Sequence, residues 1–256
     1  MTRIIGCFLM VNPMNERNPE CGVIYVTSGA FHTAAAVTAA RSVRETNPWL
    51  AIDLFTDEPN MDGPFDRVVA FSGGHRRSKV DYLSRTRFRR TLYLDSDTKV
   101  VADLRPMFDL LSRFDLAIAH AHARNAGRQT EIWRQEIPEA FPQHNGGVIL
   151  YRGEGKALKF MKDWSNAFHQ AGFKWDQITL RELMWTSDLA IYVLPPEYNI
   201  RYRKYLDIWT DREAIPKIMH LEDYYHEVAD SNTHLKRTDK GWENFILRLK
   251  RRVLGK

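Results

Sequence analysis

From Gly22 onward the chain alternates between short runs of β-branched and apolar residues and longer stretches whose apolar positions recur at helical spacing. GVIYVT (22–27) reads as a strand, and the alanine-rich FHTAAAVTAARSVRET after it reads as a helix stopped at Asn47 and Pro48. LAIDLFT (50–56), RVVAF (67–71) and TLYLD (91–95) are further strands, with a helical stretch through Leu83 before the last. DLAIAH (115–120) and GGVILYR (146–152) are strands on either side of a polar segment, 121–143, rich in Arg, Gln and His. The helix GKALKFMKDWSNAFHQAG closes at Gly172, DQITLRELMW (176–185) is another, and the apolar run AIPKIMH delivers His220 to a strand end. Strand, helix, strand at this spacing predicts a parallel sheet with crossover helices. No internal repeat or Pro/Gly/Ser-rich linker marks a second independent domain, so the pattern predicts one α/β domain with irregular additions in its C-terminal half.

Composition agrees: 256 residues, 44% hydrophobic and 27% charged, suit a single enzyme-sized globular domain. Cys7 and Cys21 lack any metal-ligand spacing and read as free thiols in a reducing compartment. The apolar start, Ile4 to Val11, is too short for a secretory core or a membrane span, and the expectation is a cytoplasmic protein. The net charge of +5 is modest, but basic residues cluster at 75–90 and from Lys236 onward. Such clusters favour phosphates or anionic surfaces, and a solvated basic face explains each of them equally well.

The tail sets Trp242, Phe245, Ile246, Leu249 and Val253 on one helical stripe, away from Arg248, Arg251 and Arg252. This is the pattern of an interfacial helix making peripheral membrane contact, and docking on the protein's own core satisfies it as well. The expected division is therefore a folded domain over 1–235 and a basic amphipathic tail over 236–256.

The strand TLYLD ends in two carboxylates one residue apart, Asp95 and Asp97, flanking Ser96. In open α/β sheets ligands bind beyond the carboxyl ends of strands. A bend there lets both carboxylates meet one hard divalent cation, and a simple polar turn fits the same residues. A calcium loop of the EF-hand kind fails, since Lys99 and Val100 stand where an oxygen ligand and a glycine are needed. The Asp-x-Asp motif of haloacid dehalogenase phosphatases is a minor alternative, which Lys99 and the position far from the chain start disfavour.

Five ordered stretches, over roughly residues 22–221, resemble the nucleotide-sugar glycosyltransferases of the GT-A fold, and especially glycosyltransferase family eight. They are RTLYLDSDTKVVADL, FPQHNGGVILYR, WDQITL, LPPEYNIRY and PKIMHL. The resemblance implies a GT-A (Rossmann-like) single domain of α/β class, with a mixed, mainly parallel central sheet flanked by helices. It implies Mn²⁺ or Mg²⁺ held by Asp95, Asp97 and His220, and a nucleoside-diphosphate sugar, a UDP-sugar first, contacted by Thr27, Lys79, Asp95, Ser96, Asn145 and Gly146. Asp176 and Gln177 fall at the family's catalytic pair beside the donor sugar. A metal-dependent hexosyl transfer to a glycan or lipid-linked acceptor follows, with anomeric retention and without nucleic acid.

Read without the resemblance, Asp176 is also a helix cap, the Asn145-Gly146-Gly147 run is equally a turn, and His220 reads first as an edge histidine. Two departures stand out: Gly29 replaces the acid that helps read uracil, and HLEDYYHEVAD after His220 lacks the usual phosphate-binding lysine. Arg201 or Arg203 is the expected substitute for that lysine. These departures keep a second class in view, a catalytically degenerate sugar-nucleotide or glycan-binding protein of the same fold.

Overall fold

The computed structural model describes residues 20–124, 127–222 and Tyr224. In chain order the elements are β1 Cys21–Thr27, α1 Ala30–Thr46, β2 Ala51–Thr56, β3 Arg67–Ala70, α2 Lys79–Tyr82, β4 Arg90–Leu94, β5 Thr98–Val100 and α3 Arg105–Asp109. Then follow β6 Leu116–His120, α4 Gly127–Thr130, β7 His144–Arg152, α5 Gly155–Ala171, α6 Gln177–Thr186, β8 Ile191–Val193, α7 Lys204–Ile208 and β9 Ile218–His220.

Seven strands form one sheet in the order β3-β2-β1-β4-β7-β6-β8. β7 runs antiparallel to both of its neighbours, and every other pairing is parallel. The sheet is thus mixed and mainly parallel, with one reversed strand. The expected crossover helices are only partly present. α1 joins β1 to β2, but the link from β2 to β3 is irregular, because Pro59, Gly63 and Pro64 interrupt any helix there.

Strand side chains alternate between two buried layers, which explains the near-continuous apolar runs in the sequence. Val23, Tyr25, Leu92, Leu94, Val148 and Leu150 pack against Ala36, Ala40 and Val43 of α1 and against Met107 and Phe108 of α3. Ile24, Tyr93, Ile149 and Tyr151 face the other way, onto Met161 and Trp164 of α5 and Leu180 of α6. α1 ends at Asn47, whose side chain joins Thr46 Oγ1 and Ala102 O, and α5 ends at Gly172 in the left-handed conformation (φ 66°), both at the sequence-predicted positions.

A second, two-stranded sheet of β5 and β9 lies just past the end of β4. Among the described residues no helix is long and apolar enough to cross a membrane. The expected boundary at residue 235, the amphipathic tail and Cys7 fall outside the described residues.

Candidate active site

Strand register assembles the site. The β4–β7 pairing sets Leu94 opposite Val148, so the next residue, Asp95, donates its backbone N–H to Gly147 O at 2.8 Å. The β5–β9 pairing sets Thr98 opposite His220, one position beyond Asp97. Ligand atoms of Asp95, Asp97 and His220 consequently lie within 4.8 Å of one another. His220 Nε2 stands 3.1 Å from Asp97 Oδ1 and 3.7 Å from Asp95 Oδ2.

The imidazole is oriented from behind. Its Nδ1 lies 2.7 Å from Asn199 Oδ1, and an amide oxygen only accepts, so Nδ1 carries the proton and Nε2 faces the carboxylates. Asn199 in turn donates from Nδ2 to Asn145 Oδ1 at 3.1 Å. Asn145 Oδ1 also receives the Gly147 N–H at 3.0 Å. The Asn145 carbonyl oxygen therefore braces the metal-side residues.

These residues fit a hard divalent cation. Asp97 Oδ1 is buried without a hydrogen-bond partner, an arrangement that costs free energy unless a ligand satisfies it. Burial pushes the Asp97 carboxyl up, but the nearby His220 ring and Arg201 guanidinium outweigh it and hold the group at about 2, ionised at neutral pH. Space is kept by Gly147: a methyl group there would overlap His220 Cε1 and come within 2.6 Å of Asp95 Oδ2 and 2.9 Å of His220 Nε2. Two carboxylates and one imidazole suit Mn²⁺ or Mg²⁺ in charge and hardness.

Beside this triad lies a second charge network. Lys79, at the start of α2, donates from Nζ to Gly146 O at 2.8 Å and to Asp95 Oδ1 at 3.3 Å, and stands 3.5 Å from Asp176 Oδ2. Burial pushes the Lys79 ammonium down, but Asp176 and Asp95 more than restore it, so it stays charged. Asp95 Oδ1 also accepts from the Tyr93 hydroxyl. Asp176 makes no side-chain capping bond, although α6 begins at the next residue. Its carboxylate turns instead toward Lys79 and toward Arg77 Nε, 3.4 Å away, and leaves Oδ2 without a hydrogen bond.

Gln177 is anchored through Nε2 to His144 O at 2.7 Å. Thr27 lines the same cavity, its hydroxyl shared with Thr33 Oγ1 at 2.9 Å; Ser96 lines it from the turn between β4 and β5. The cavity holds about 770 Å³ and takes in all the residues the sequence singled out for donor, metal and catalysis. Of the two candidate substitutes for the absent lysine, Arg201 lines it and Arg203 does not. Arg201 reaches His220 O at 3.0 Å and Asp97 Oδ2 at 3.5 Å.

Three participants escaped the sequence reading: Asn199, Arg77 and Trp175. Asn199 stands inside the quoted LPPEYN stretch, and Arg77 inside the basic run at 75–90, but nothing local marks either as part of the site.

A model described as nucleotide-diphospho-sugar transferase matches residues 80–229, more than half the chain. The chain belongs to that family. The match begins at the residue after Lys79 and takes in both Asp95 and His220. Among solved structures, the chain resembles the glycosyltransferase GlyE of Streptococcus pneumoniae TIGR4 at 21% identity, over 78% of this chain and 55% of that one, with a TM-score of 0.53. It resembles LgtC, a galactosyltransferase solved with donor and acceptor sugar analogues, at 16% identity over 88% of this chain and 99% of that one, with a TM-score of 0.54. It also resembles the bifunctional glycosyltransferase WbbM at 12% identity over 91% of this chain and 52% of that one, with a TM-score of 0.53. The chain spans about half the length of GlyE and WbbM. At these identities the likeness is one of fold, and the fold is the GT-A arrangement that the sequence resemblance implied. No curated protein matches the chain in sequence.

Proposed function

We propose that the chain moves a hexosyl group from a nucleoside-diphosphate sugar, UDP-linked in the first instance, to a glycan or lipid-linked acceptor, with retention of anomeric configuration. The observation that carries this reading is the convergence of Asp95, Asp97 and His220, with the buried Asp97 Oδ1 facing only His220 Nε2 and Gly147 keeping the space clear. Mn²⁺ or Mg²⁺ bound there supplies positive charge against the negative charge that grows on the departing diphosphate.

The chain's own residues do the rest. Arg201 adds a fixed cation on the diphosphate side of the triad, the task of the absent lysine. Lys79 holds Asp95 and Asp176 at a set separation, and Asp176 Oδ2, which makes no hydrogen bond, accepts a donor-sugar hydroxyl or faces the ring as it gains positive charge. Gly146 lets backbone approach the sugar, and Gln177, tied to β7, fixes the far side of the same space. Thr27 and Ser96 line the donor cavity.

A second reading, a sugar-nucleotide binding protein without turnover, is favoured by Glu222, an exposed carboxylate lining the cavity where a diphosphate would be repelled. Calorimetric titration with UDP, GDP, ADP and CDP, with and without Mn²⁺, tests both. Metal-dependent binding of one nucleotide, lost in Asp97→Ala, is the expected result. Binding without turnover of any UDP-hexose, by transfer or hydrolysis, favours the second reading, and absence of binding refutes both.

A further inference from the structure

Along the cavity wall the charged groups fall in a fixed sequence. Arg201 stands with the Asp95, Asp97 and His220 triad at one end. Lys79 comes next, bridging Asp95 to Asp176, and Arg77 lies beyond Asp176. The Arg77 guanidinium sits over the Trp175 ring at 4.7 Å, Arg76 over the same ring at 5.1 Å, and the Lys174 ammonium at 5.4 Å. One indole gathers three cations, and among the described residues only Arg77 has a carboxylate within ion-pair distance. Arg76 and Lys174 are exposed and uncompensated.

The loop that carries the two arginines is held at two points. Gly74 packs so closely on Ser28 and Asp57 that a methyl group there would overlap Ser28 Oγ and come within 2.6 Å of Asp57 Oδ2. His75 donates from Nε2 to Asp81 Oδ2 at 2.7 Å, since its Nδ1 accepts the Arg77 N–H at 3.2 Å. Asp81 also binds Ser165 and His169 of α5, so the loop is pinned to that helix. Mutually repelling cations on a fixed frame form a preorganised anion site.

This rim is not placed for the donor diphosphate. A diphosphate at the triad has Arg201 beside it, and the paired charges of Lys79 and Asp176 stand between it and Arg77. The rim faces the far side of Asp176, where an acceptor would approach the donor sugar. The geometry points to an anion subsite formed by Arg76, Arg77 and Lys174 on Trp175, which takes a phosphate or carboxylate carried by the acceptor glycan. The inference rests on the donor site proposed above.

The test is calorimetric titration of the full chain with glucose 6-phosphate, glucuronate and glucose, each with and without saturating UDP and Mn²⁺. It is repeated on the Arg76→Ser/Lys174→Ser double variant, whose exposed side chains lie outside the Asp176 ion pairs. Both anionic sugars should bind the loaded protein at least about tenfold more tightly than glucose, and the double variant should lose about tenfold in that affinity with UDP binding unchanged. Loss of anion binding on saturation with UDP and Mn²⁺ overturns the inference, because the anions then occupied the donor's phosphate position. Equal binding of neutral and anionic sugars overturns it too, as does binding of UDP alone. If UDP with Mn²⁺ fails to bind while the anionic sugars bind the free protein and respond to the double variant, the donor reading falls and the anion site stands.

Discussion

Gly146 and Gly147 are neighbours on β7, yet the structure assigns them opposite tolerance to a single methyl group. Neither has a positive φ, so alanine is permitted by the backbone at both. At Gly146 the new carbon would meet Lys79 Nζ at 3.4 Å, Asp176 Oδ2 at 3.5 Å and Trp164 at 3.6 Å, which are ordinary contacts. At Gly147 it would overlap His220 and crowd Asp95 at 2.6 Å. Neither neighbour yields easily: the His220 ring is held by Asn199 within a paired strand, and the Asp95 carboxylate by Tyr93 and Lys79. Overpacking of this kind costs about 1–3 kcal/mol, which for a chain of this size lowers Tm by roughly 2–10 °C.

The same displacement spreads the triad. Misplacing ligands by loss of their support lowers metal affinity by about 10–100-fold, and Gly147→Ala should fall in or beyond that range. Gly146→Ala should leave Mn²⁺ affinity and Tm close to those of the parent. The assay is calorimetric titration of Mn²⁺ in the presence of UDP, paired with scanning calorimetry of the protein alone. Parental Mn²⁺ affinity in Gly147→Ala, or equal damage in both variants, would refute the assignment of this space to a cation.

Three further outcomes are expected. Asn199→Ala, which leaves the buried His220 Nδ1–H without its acceptor, should weaken Mn²⁺-dependent UDP binding about 10–100-fold and lower Tm by a few degrees, whereas an equal loss of metal-free binding would contradict an orienting role. Lys79→Met leaves Asp95 and Asp176 facing each other without their shared cation and should cost about 3–5 kcal/mol in urea unfolding; adding Asp176→Asn should recover part of that loss, and an unrescued double variant would count against charge as the cause. His144 is held down at about 3 by burial, with His120 and Arg181 adding to the effect. The unfolded chain therefore takes up the proton first, near the ordinary 6.5, and stability falls as pH drops from there toward 3. His144→Phe should flatten that limb of a Tm-against-pH curve, and an unchanged slope would show that another group dominates it.

The central strands were legible because their burial on both faces writes apolar runs into the sequence, and the ends of α1 and α5 because Asn47–Pro48 and Gly172 punctuate them. The reversal of β7 was not, since periodicity carries no direction. The link between β2 and β3, to which the pattern assigned no element, carries its own signals of irregularity in Pro59, Gly63 and Pro64. At the site, Asp95 and Asp97 are local in sequence, and ordered similarity brought in His220, Asp176 and Lys79. The roles of Asn199, Arg77 and Trp175 depend on contacts between distant segments, such as Asn199 with His220 and Arg77 with Asp176, and a linear reading contains none of these pairings. Asp176 shows the converse: its place before a helix suggested a cap, and the stronger pull of two cations, the buried Lys79 and the half-buried Arg77, turned the carboxylate away.

The reversed strand has a consequence for how such a chain diversifies. Because β6 and β7 are antiparallel neighbours, the 121–143 segment leaves the sheet and re-enters it at one and the same edge, the edge that holds Asp95 and Gly147. It is an excursion rather than a crossover, so its length can change without re-threading any strand, while Ala121 and His122 line the cavity and Arg134 and Gln135 bind the buried Glu182. A foreign segment grafted after His122 and before Arg134 would therefore leave the strand order, the cavity wall at Ala121 and His122, and the positions of Asp95 and Gly147 in place.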